Sequence, residues 1–161
     1  MNKYKTFVEI LGSKDINKIL FSYFSKDSCC NISYGAFLDA IRSYPEIKGK
    51  TFAFLGDNSY TSILLLFILA YQKKTIVLLN PLEDEKLRKE KMDSLPFDGR
   101  IKGNKMISYP NPKENDNKEA YFYFYTSGTT SSSKAVVLTE ENLCASAYNG
   151  SYCLPLSEQD R

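Results

Sequence analysis

Three consecutive segments constrain the fold of this chain most strongly. Thr51–Leu55 and residues 75–79 are short runs of β-branched and apolar residues, a pattern typical of strands. Between them, residues 63–70 form an unbroken apolar run, and Asn58 or Ser59 can cap the helix that contains it. A strand, a helix-length crossover and a second strand predict a right-handed β-α-β unit with parallel strands. The sequence therefore predicts an α/β fold in three layers, a mostly parallel sheet flanked by helices.

Helical spacing of apolar residues predicts two helices before this unit. In 15–24 the apolar residues recur at helical intervals, and Asp15 is placed to cap the start. Ser33 precedes a second such stretch, which Pro45 stops because the residue before a proline avoids the helical region. We therefore expect a first amphipathic helix over 15–24 and a second one capped by Ser33.

The order of charges predicts another helix after the β-α-β unit. Acidic residues occupy 83–85 and basic residues crowd 86–91, an order that complements the helix dipole. We interpret these charges as a solvated face in preference to a phosphate-binding patch. Four apolar side chains are expected to anchor the helix: Leu82, Leu87, Met92 and Leu95.

Two further segments complete the predicted organisation. Residues 109–119 carry two prolines, three asparagines and alternating charges, which predicts an exposed, mobile connector within a single domain of residues 1–161. Near the end of the chain, Thr139 is placed to cap a helix with acidic residues in its first turn. We expect that helix to run to about Tyr148 and to end at Asn149 and Gly150.

A pair of strands around a polar loop is the main candidate site. Residues 120–125 and 135–139 are rich in aromatic and β-branched side chains, which favours a hairpin. The loop between them is rich in hydroxyl groups, contains Gly128, which is free to adopt positive φ, and ends at Lys134. Because a concave turn of backbone N–H groups binds anions, this hairpin predicts a polyphosphate site.

A Walker-type loop does not fit these residues. That motif needs a Gly directly before its Lys, a Ser or Thr directly after it, and then a helix. Here Ser133 precedes Lys134, Ala135 follows it, and the chain continues as a strand. The remaining alternative to a phosphate loop is a Ser/Thr-rich hairpin that binds nothing.

The loop resembles the phosphate-loop signature of the adenylate-forming superfamily, which includes acyl-CoA synthetases, nonribosomal peptide adenylation domains and luciferases. The family pattern is Tyr-Thr-Ser-Gly-Ser/Thr-Thr-Gly-x-Pro-Lys-Gly, and residues 125–130 and Lys134 match it position for position. Ser131 and Ala135 stand where the family has glycine, and Ser133 stands where it has proline.

Weaker likenesses to the same family lie upstream of the loop. Residues 32–38 resemble an early Leu-Thr-Tyr-x-Glu-Leu motif, with Phe37 at the Glu position. Residues 69–80 resemble a segment that ends in Val-Pro-Leu-Asn, with Gln72 at its usual Gly. The resemblance thus extends over about 32–161, with a β-hairpin phosphate loop inside the large N-terminal domain of an adenylate-forming enzyme.

This resemblance implies an AMP-forming acid–thiol ligase. Such an enzyme joins a small carboxylic acid to ATP with magnesium, releases pyrophosphate from the acyl-adenylate, and passes the acyl group to the thiol of coenzyme A or phosphopantetheine. It implies that Lys134 assists as a point charge while the loop wraps the β- and γ-phosphates. The loop residues concerned are Thr126, Ser127, Gly128, Thr129 and Thr130.

The resemblance also implies that this chain is part of a larger adenylation domain. In relatives the magnesium-binding acid, the ribose-binding Asp and the catalytic Lys all lie later than the position of Arg161. We therefore expect a truncated domain with no catalytic residue and no metal site of its own, inactive alone. The alternative is a degenerate, non-catalytic module that packs against a partner subdomain.

Composition excludes several other classes of protein. The chain has 21 basic and 19 acidic residues, a formal net charge of +2, and no long basic block, which argues against a nucleic-acid partner. Four cysteines lack paired zinc spacing, and no histidine is present to complete a mixed zinc site or a nucleophile pair. Adjacent Cys29 and Cys30 are interpreted as strand residues that point to opposite faces.

Location and assembly can also be predicted from the sequence. Residues 1–20 lack the continuous apolar centre of a secretory signal, and the run 63–70 is shorter than the roughly 20 residues of a membrane span. We therefore expect a cytoplasmic protein with no membrane span. Because a truncated sheet exposes an edge and an apolar face, we also expect this chain to self-associate.

Overall fold

The computed structural model of this chain describes residues 4–25, 28–126 and 134–153. Five helices and eight strands occur in these ranges. The helices are α1 (Phe7–Gly12), α2 (Tyr34–Ser43), α3 (Tyr60–Tyr71), α4 (Glu85–Asp93) and α5 (Glu140–Cys153). The strands are β1 (Ile19–Ser25), β2 (Ser28–Ser33), β3 (Thr51–Leu55), β4 (Thr75–Leu78), β5 (Gly99–Lys102), β6 (Lys105–Ser108), β7 (Tyr121–Thr126) and β8 (Lys134–Thr139).

A six-stranded mixed sheet lies at the centre, in the order β6-β5-β3-β4-β7-β8. Strands β5, β3, β4 and β7 are parallel, and β6 and β8 are antiparallel to their neighbours on either side. Strands β1 and β2 form a separate antiparallel hairpin. The predicted β-α-β unit is confirmed, because β3 and β4 are adjacent and parallel with α3 as their crossover.

Apolar side chains cover both faces of the sheet, which gives the three layers predicted from the sequence. One face carries the larger core, where Phe37 of α2 and Ile68 of α3 are buried against Phe52 of the sheet. The other face carries a smaller core, in which Met92 and Leu95 of the α4 region pack against sheet residues such as Val77. Helix α3 is apolar nearly all round because it lies between the sheet and the other helices of the first layer.

Serine caps begin two of the helices where the sequence predicted them. The Ser33 hydroxyl accepts a hydrogen bond of 3.2 Å from the backbone N–H of Ala36 at the start of α2. The Ser59 hydroxyl accepts one of 3.3 Å from the N–H of Ser62 at the start of α3. The predicted Ser33 cap is therefore confirmed, and of the two candidates for α3 the structure has Ser59 as the cap. Each serine satisfies one of the N–H groups that a helix start leaves without a partner.

The predicted helix over 15–24 is wrong. Residues 19–25 form strand β1, and the first helix is α1, which begins with a capping box between Thr6 and Glu9. In β1, Phe21 and Tyr23 point inward while Ser22 and Phe24 are exposed, so the burial repeats every two residues. Pairing with β2 decided the outcome, because Ile, Phe and Tyr residues fit a half-buried strand as well as a helix.

The predictions for the charged helix and the last helix need correction as well. Leu82 and Leu87 do not anchor α4, because they are 91% and 36% exposed. Lys91, assigned to the solvated face, is buried beside Glu83.

The last helix ends later than predicted. Helix α5 continues through Asn149 and Gly150 to Cys153. The turn preference of that pair is a weak local preference, which the context of the surrounding helix overrides.

The segment 109–119 has no helix or strand and is mostly exposed. Two of its asparagines nevertheless bind the end of α3 and the start of β4: Asn115 donates to the carbonyl of Gln72 at 3.1 Å, and Asn117 donates to the Thr75 hydroxyl at 3.0 Å. Asp116 forms an ion pair with Lys50 at 2.6 Å. Side-chain contacts therefore hold the segment along the amino ends of the strands.

No helix in the described ranges is both long and apolar enough to cross a membrane.

Candidate functional site

The β7–β8 hairpin carries the candidate site. Strand β7 runs parallel to β4, and Leu78 pairs with Phe124, so the two strands end at the same edge of the sheet. Strand β8 returns antiparallel to β7, as the sequence predicted. The end of the hairpin, at Thr126 and Lys134, thus lies at the carboxyl ends of the parallel strands, where α/β sheets bind ligands.

Two of the predicted site residues lie opposite each other at the mouth of this hairpin. Thr126 and Lys134 form the last pair of the β7–β8 ladder. The Thr126 hydroxyl is 3.4 Å from the backbone carbonyl oxygen of Lys134, and both residues are exposed. The structure therefore brings together the two ends of the predicted phosphate loop. Ser127, Gly128, Thr129 and Thr130 lie outside the described residues.

The turn after β3 shapes the same edge of the sheet. The Asp57 carboxylate accepts a hydrogen bond of 2.9 Å from the N–H of Ser59, and the N–H of Asp57 donates to the buried Ser62 hydroxyl at 3.0 Å. Hydrogen bonds from the hydroxyl and the backbone of Ser59 lower the pKa of Asp57. This turn is therefore fixed with its acidic group in the ionised form at neutral pH.

A basic cavity of about 890 Å³ lies beside this turn, between α4 and the β5–β6 hairpin. Asp57 and Glu85 are the acidic side chains of its wall, and the basic ones outnumber them. The Nε atom of Arg100 is buried and has no hydrogen-bond partner among the described residues. The basic residues of the wall are Arg88, Lys89, Arg100, Lys102 and Lys105. An excess of positive charge with a spare buried donor fits an anionic ligand.

A smaller cavity of about 350 Å³ lies at the ends of β4 and β7. Thr126 and Tyr125 form its wall on the β7 side. Glu83 and Lys91 face it from the α4 side. The first residue of the predicted phosphate loop therefore shares a cavity with a charged pair.

Sequence reasoning missed both cavities because each is assembled from distant segments. The charge pattern places Arg88 on a solvated face, and Arg100 and Lys102 lie on β5, a strand that the sequence pattern does not predict. The available signal was Gly103 and Asn104, which form a tight turn between two short runs, with Gly103 at φ 55°. That turn predicts a hairpin, but it does not predict the neighbours of the hairpin.

The cysteines do not contribute to this edge. Cys29 is exposed and Cys30 half-buried on β2, so the adjacent pair lies on a strand, as predicted, and is not joined in a disulfide. Burial raises the pKa of the Cys144 thiol to about 11, so this group stays protonated. Among the described residues, no cluster of His, Cys, Asp and Glu side chains could hold a metal ion.

Comparison with protein families finds one match. The model of the family described as "AMP-binding enzyme" matches residues 49–161, which includes the β-α-β unit, both cavities and the hairpin. No curated protein sequence matches this chain.

Solved structures of similar fold cover nearly the whole chain. The o-succinylbenzoate CoA synthetase (MenE) of Bacillus subtilis with a product analogue has a TM-score of 0.71 and 18% identity, and the match covers 98% of this chain and 38% of that one. The same enzyme with ATP and magnesium ion has a TM-score of 0.68 and 18% identity, covering 98% and 49%. The N-terminal subdomain of Klebsiella oxytoca NpsA, with 3-hydroxyanthranilyl-AMSN, has a TM-score of 0.60 and 15% identity, covering 85% and 41%. This chain therefore has the fold of these proteins and spans less than half of their length.

Proposed function

This chain belongs to the AMP-binding enzyme family, and from that membership we propose that it forms the phosphate-binding part of an ATP-dependent carboxylate ligase. The reaction is the formation of an acyl-adenylate and pyrophosphate from a small carboxylic acid and Mg-ATP. Transfer of the acyl group to a thiol then gives a thioester. The B. subtilis synthetase of the same fold, solved with ATP and magnesium, supports this choice of nucleotide.

The observation that carries the proposal is the position of Thr126 and Lys134. They close the hairpin at the carboxyl edge of the parallel strands, where the Lys134 side chain is exposed and available to a ligand. The nearby residues that match the family's phosphate-loop signature supply hydroxyl and N–H donors between them. These are the groups that a triphosphate requires.

The chemistry proposed for these residues is stabilisation of a leaving group. As the substrate carboxylate attacks the α-phosphorus, the bond to the bridging oxygen breaks and negative charge develops on the pyrophosphate. The Lys134 ammonium and the loop donors would stabilise that charge. Each charge-assisted hydrogen bond of this kind contributes about 1.5–3 kcal/mol.

The basic cavity favours coenzyme A as the thiol acceptor. Coenzyme A carries several phosphate groups on its nucleotide, and the described residues of the cavity wall include five basic side chains against two acidic ones. The buried Nε of Arg100 lacks a partner among the described residues, so it is a donor that a phosphate oxygen could satisfy. The phosphopantetheine arm of a carrier protein has a single phosphate, which would satisfy fewer of these charges than the phosphates of coenzyme A.

The alternative is a non-catalytic module of the same fold. Its specific support is the replacement of family residues in the loop by Ser131, Ser133 and Ala135. Side chains at two glycine positions restrict the loop backbone, and a residue forced into the left-handed region costs about 1–2 kcal/mol. Such a module would not bind magnesium-ATP.

Calorimetric titration of Mg-ATP into the complete protein tests the proposal. We expect saturable, magnesium-dependent binding, which Lys134→Ala weakens about tenfold or more. The same substitution should slow ATP–pyrophosphate exchange. Lys118→Ala, which removes an exposed lysine from 109–119, is the matched control and should change neither quantity. Absence of magnesium-dependent binding would favour the non-catalytic alternative.

A further inference from the structure

A buried ion pair lies beside the predicted phosphate loop and has no part in the function described above. The Lys91 ammonium of α4 bonds to the carboxylate of Glu83, which lies just before the helix. The side chains of Lys91 and Glu83 are 9% and 16% exposed. Lysine and glutamate are among the residues that are most rarely buried, so this pair requires an explanation.

The pair is fixed against the last residues of strand β7. The Lys91 Nζ lies 4.7 Å from the centroid of the Tyr125 ring, within the range of a cation–π interaction. On the same side, the Ser94 hydroxyl donates to the Lys91 carbonyl at 2.7 Å and lies 3.4 Å from the Tyr125 hydroxyl. Lys91 is thus enclosed between a carboxylate and the aromatic ring that precedes Thr126.

Stability alone does not account for the pair. Taking both charges out of water has a free-energy cost that the attraction between them often does not offset. Replacing such a pair by apolar residues of similar volume often leaves the protein as stable as before or more stable. In addition, the Glu83 Oε2 atom is buried and has no hydrogen-bond partner among the described residues. A buried polar arrangement that is only partly satisfied points to a role in placing a neighbouring group.

The neighbouring group is the start of the phosphate loop. Glu83, Lys91, Tyr125 and Thr126 line the same cavity of about 350 Å³, at the carboxyl ends of β4 and β7. Tyr125 directly precedes Thr126 at the end of β7, so contacts that order its ring restrict the backbone from which the loop begins. A phosphate site needs its donors held to within a fraction of an ångström, and neighbouring side chains must provide that support.

We propose that Lys91, held by Glu83, is a positioning residue that fixes Tyr125 and thereby the Thr126 end of the phosphate-binding hairpin. This inference rests on the proposed function, because it assumes that the hairpin binds Mg-ATP. It assigns no contact between Lys91 and the nucleotide. The ion pair acts through the ring, and its contribution is a more ordered hairpin before the nucleotide arrives.

Replacing both charges by apolar residues tests the inference in the complete protein. The double variant Glu83→Leu, Lys91→Met should keep the wild-type unfolding midpoint, because a buried ion pair can be replaced without loss of stability. Amide hydrogen exchange at residues 124–126 should become about tenfold faster, and the Kd for Mg-ATP should rise about tenfold. A pair with a merely structural role would leave both quantities unchanged once stability is kept.

Two further variants separate the ring contact from the ion pair. Lys91→Arg keeps a cation over the ring, so amide hydrogen exchange and the affinity for Mg-ATP should stay at their wild-type values. The charge swap Glu83→Lys, Lys91→Glu keeps an ion pair but places a carboxylate over the ring, and it should behave like the apolar double variant. Lys86→Met, at an exposed lysine of the same helix, is the control and should change nothing.

The two readouts distinguish failure of this inference from failure of the proposed function. Wild-type exchange and affinity in the apolar double variant would overturn the positioning role. If wild-type protein binds no Mg-ATP, the proposed function fails, and exchange at residues 124–126 still decides whether Lys91 positions the hairpin. In that case too, the inference is overturned if amide hydrogen exchange at residues 124–126 is the same in wild type, in the apolar double variant and in the charge-swap variant.

Discussion

The carboxylate of Asp98 accepts a hydrogen bond of 2.8 Å from the backbone N–H of Lys113. Its other oxygen accepts two more, from the N–H groups of Lys50 at 2.8 Å and Thr51 at 2.9 Å. One side chain at the start of β5 therefore joins the start of β3 to the segment 109–119. Burial raises the pKa of Asp98, but the three backbone donors outweigh it and the pKa is lowered overall.

Removing this carboxylate should destabilise the amino-end edge of the sheet. Asp98→Ala leaves three backbone donors without a partner, so we expect the free energy of unfolding to fall by about 3–5 kcal/mol. Because the pKa is lowered on folding, the contribution is present above the unfolded value near 3.8 and is lost as the pH falls through the folded pKa. Urea unfolding at neutral pH measures the loss, with exposed Asp93→Ala as the control. A loss below about 1 kcal/mol would contradict this role.

Glu140 should have the opposite pH dependence. This residue is 6% exposed and accepts a hydrogen bond of 2.7 Å from the N–H of Phe7. Burial raises the pKa of Glu140 despite that bond, and nearby Glu9 and Glu119 raise it further. The folded state therefore holds the proton more tightly, and stability falls as the pH rises from below 4.5 through the raised folded pKa.

Glu140→Gln tests this pH dependence, because it keeps an acceptor for the Phe7 N–H and removes the charge. The variant should have a higher urea midpoint than wild type at pH 7, and the difference should shrink toward pH 4. Glu141→Gln changes an exposed neighbour and should leave the pH profile as it is. Parallel profiles for wild type and Glu140→Gln would show that Glu140 does not carry the dependence.

Local patterns predicted the parts of the fold that consist of neighbouring segments. The β-α-β unit follows from two strand patterns around an apolar helix, and the Ser33 and Ser59 caps follow from their side-chain chemistry. The strand at 19–25 did not follow, because its partner β2 is recognisable only once the chain has folded. Strands β5 and β6 are short and contain charged residues, so their hydrophobic pattern is too weak to predict a strand.

The candidate site divides in the same way. The contiguous loop motif predicts Thr126 and Lys134 as site residues, and the hairpin places these two residues opposite each other. The Glu83–Lys91 pair was not found, because each charge alone is typical of a solvated helix face. Burial of a charge depends on what packs over it, and here that is the ring of Tyr125, far along the chain.

Strand β8 should promote self-association of this chain. It lies at one end of the described sheet, and Val136 and Val137 on it are 42% and 46% exposed. An edge strand with exposed apolar residues is a template for pairing with another copy. Sedimentation velocity should show a rise in mean sedimentation coefficient with concentration, and Val137→Lys should suppress it. A single monomeric species at high concentration would contradict the prediction.

Lys73 should be a site where glycine stabilises the fold. Its φ is 57°, in the left-handed region, directly after the C-cap residue Gln72 of α3, whereas the family likeness placed the usual glycine at Gln72. A non-glycine residue in this conformation costs about 1–2 kcal/mol. Substitution by glycine removes that strain, but part of the gain is lost because glycine has greater conformational freedom in the unfolded chain. We therefore expect Lys73→Gly to raise the free energy of unfolding by about 0.5–1 kcal/mol in urea. Lys118→Gly, at an exposed position without positive φ, should lower it slightly. Equal losses in the two variants would mean that the backbone at Lys73 is not strained.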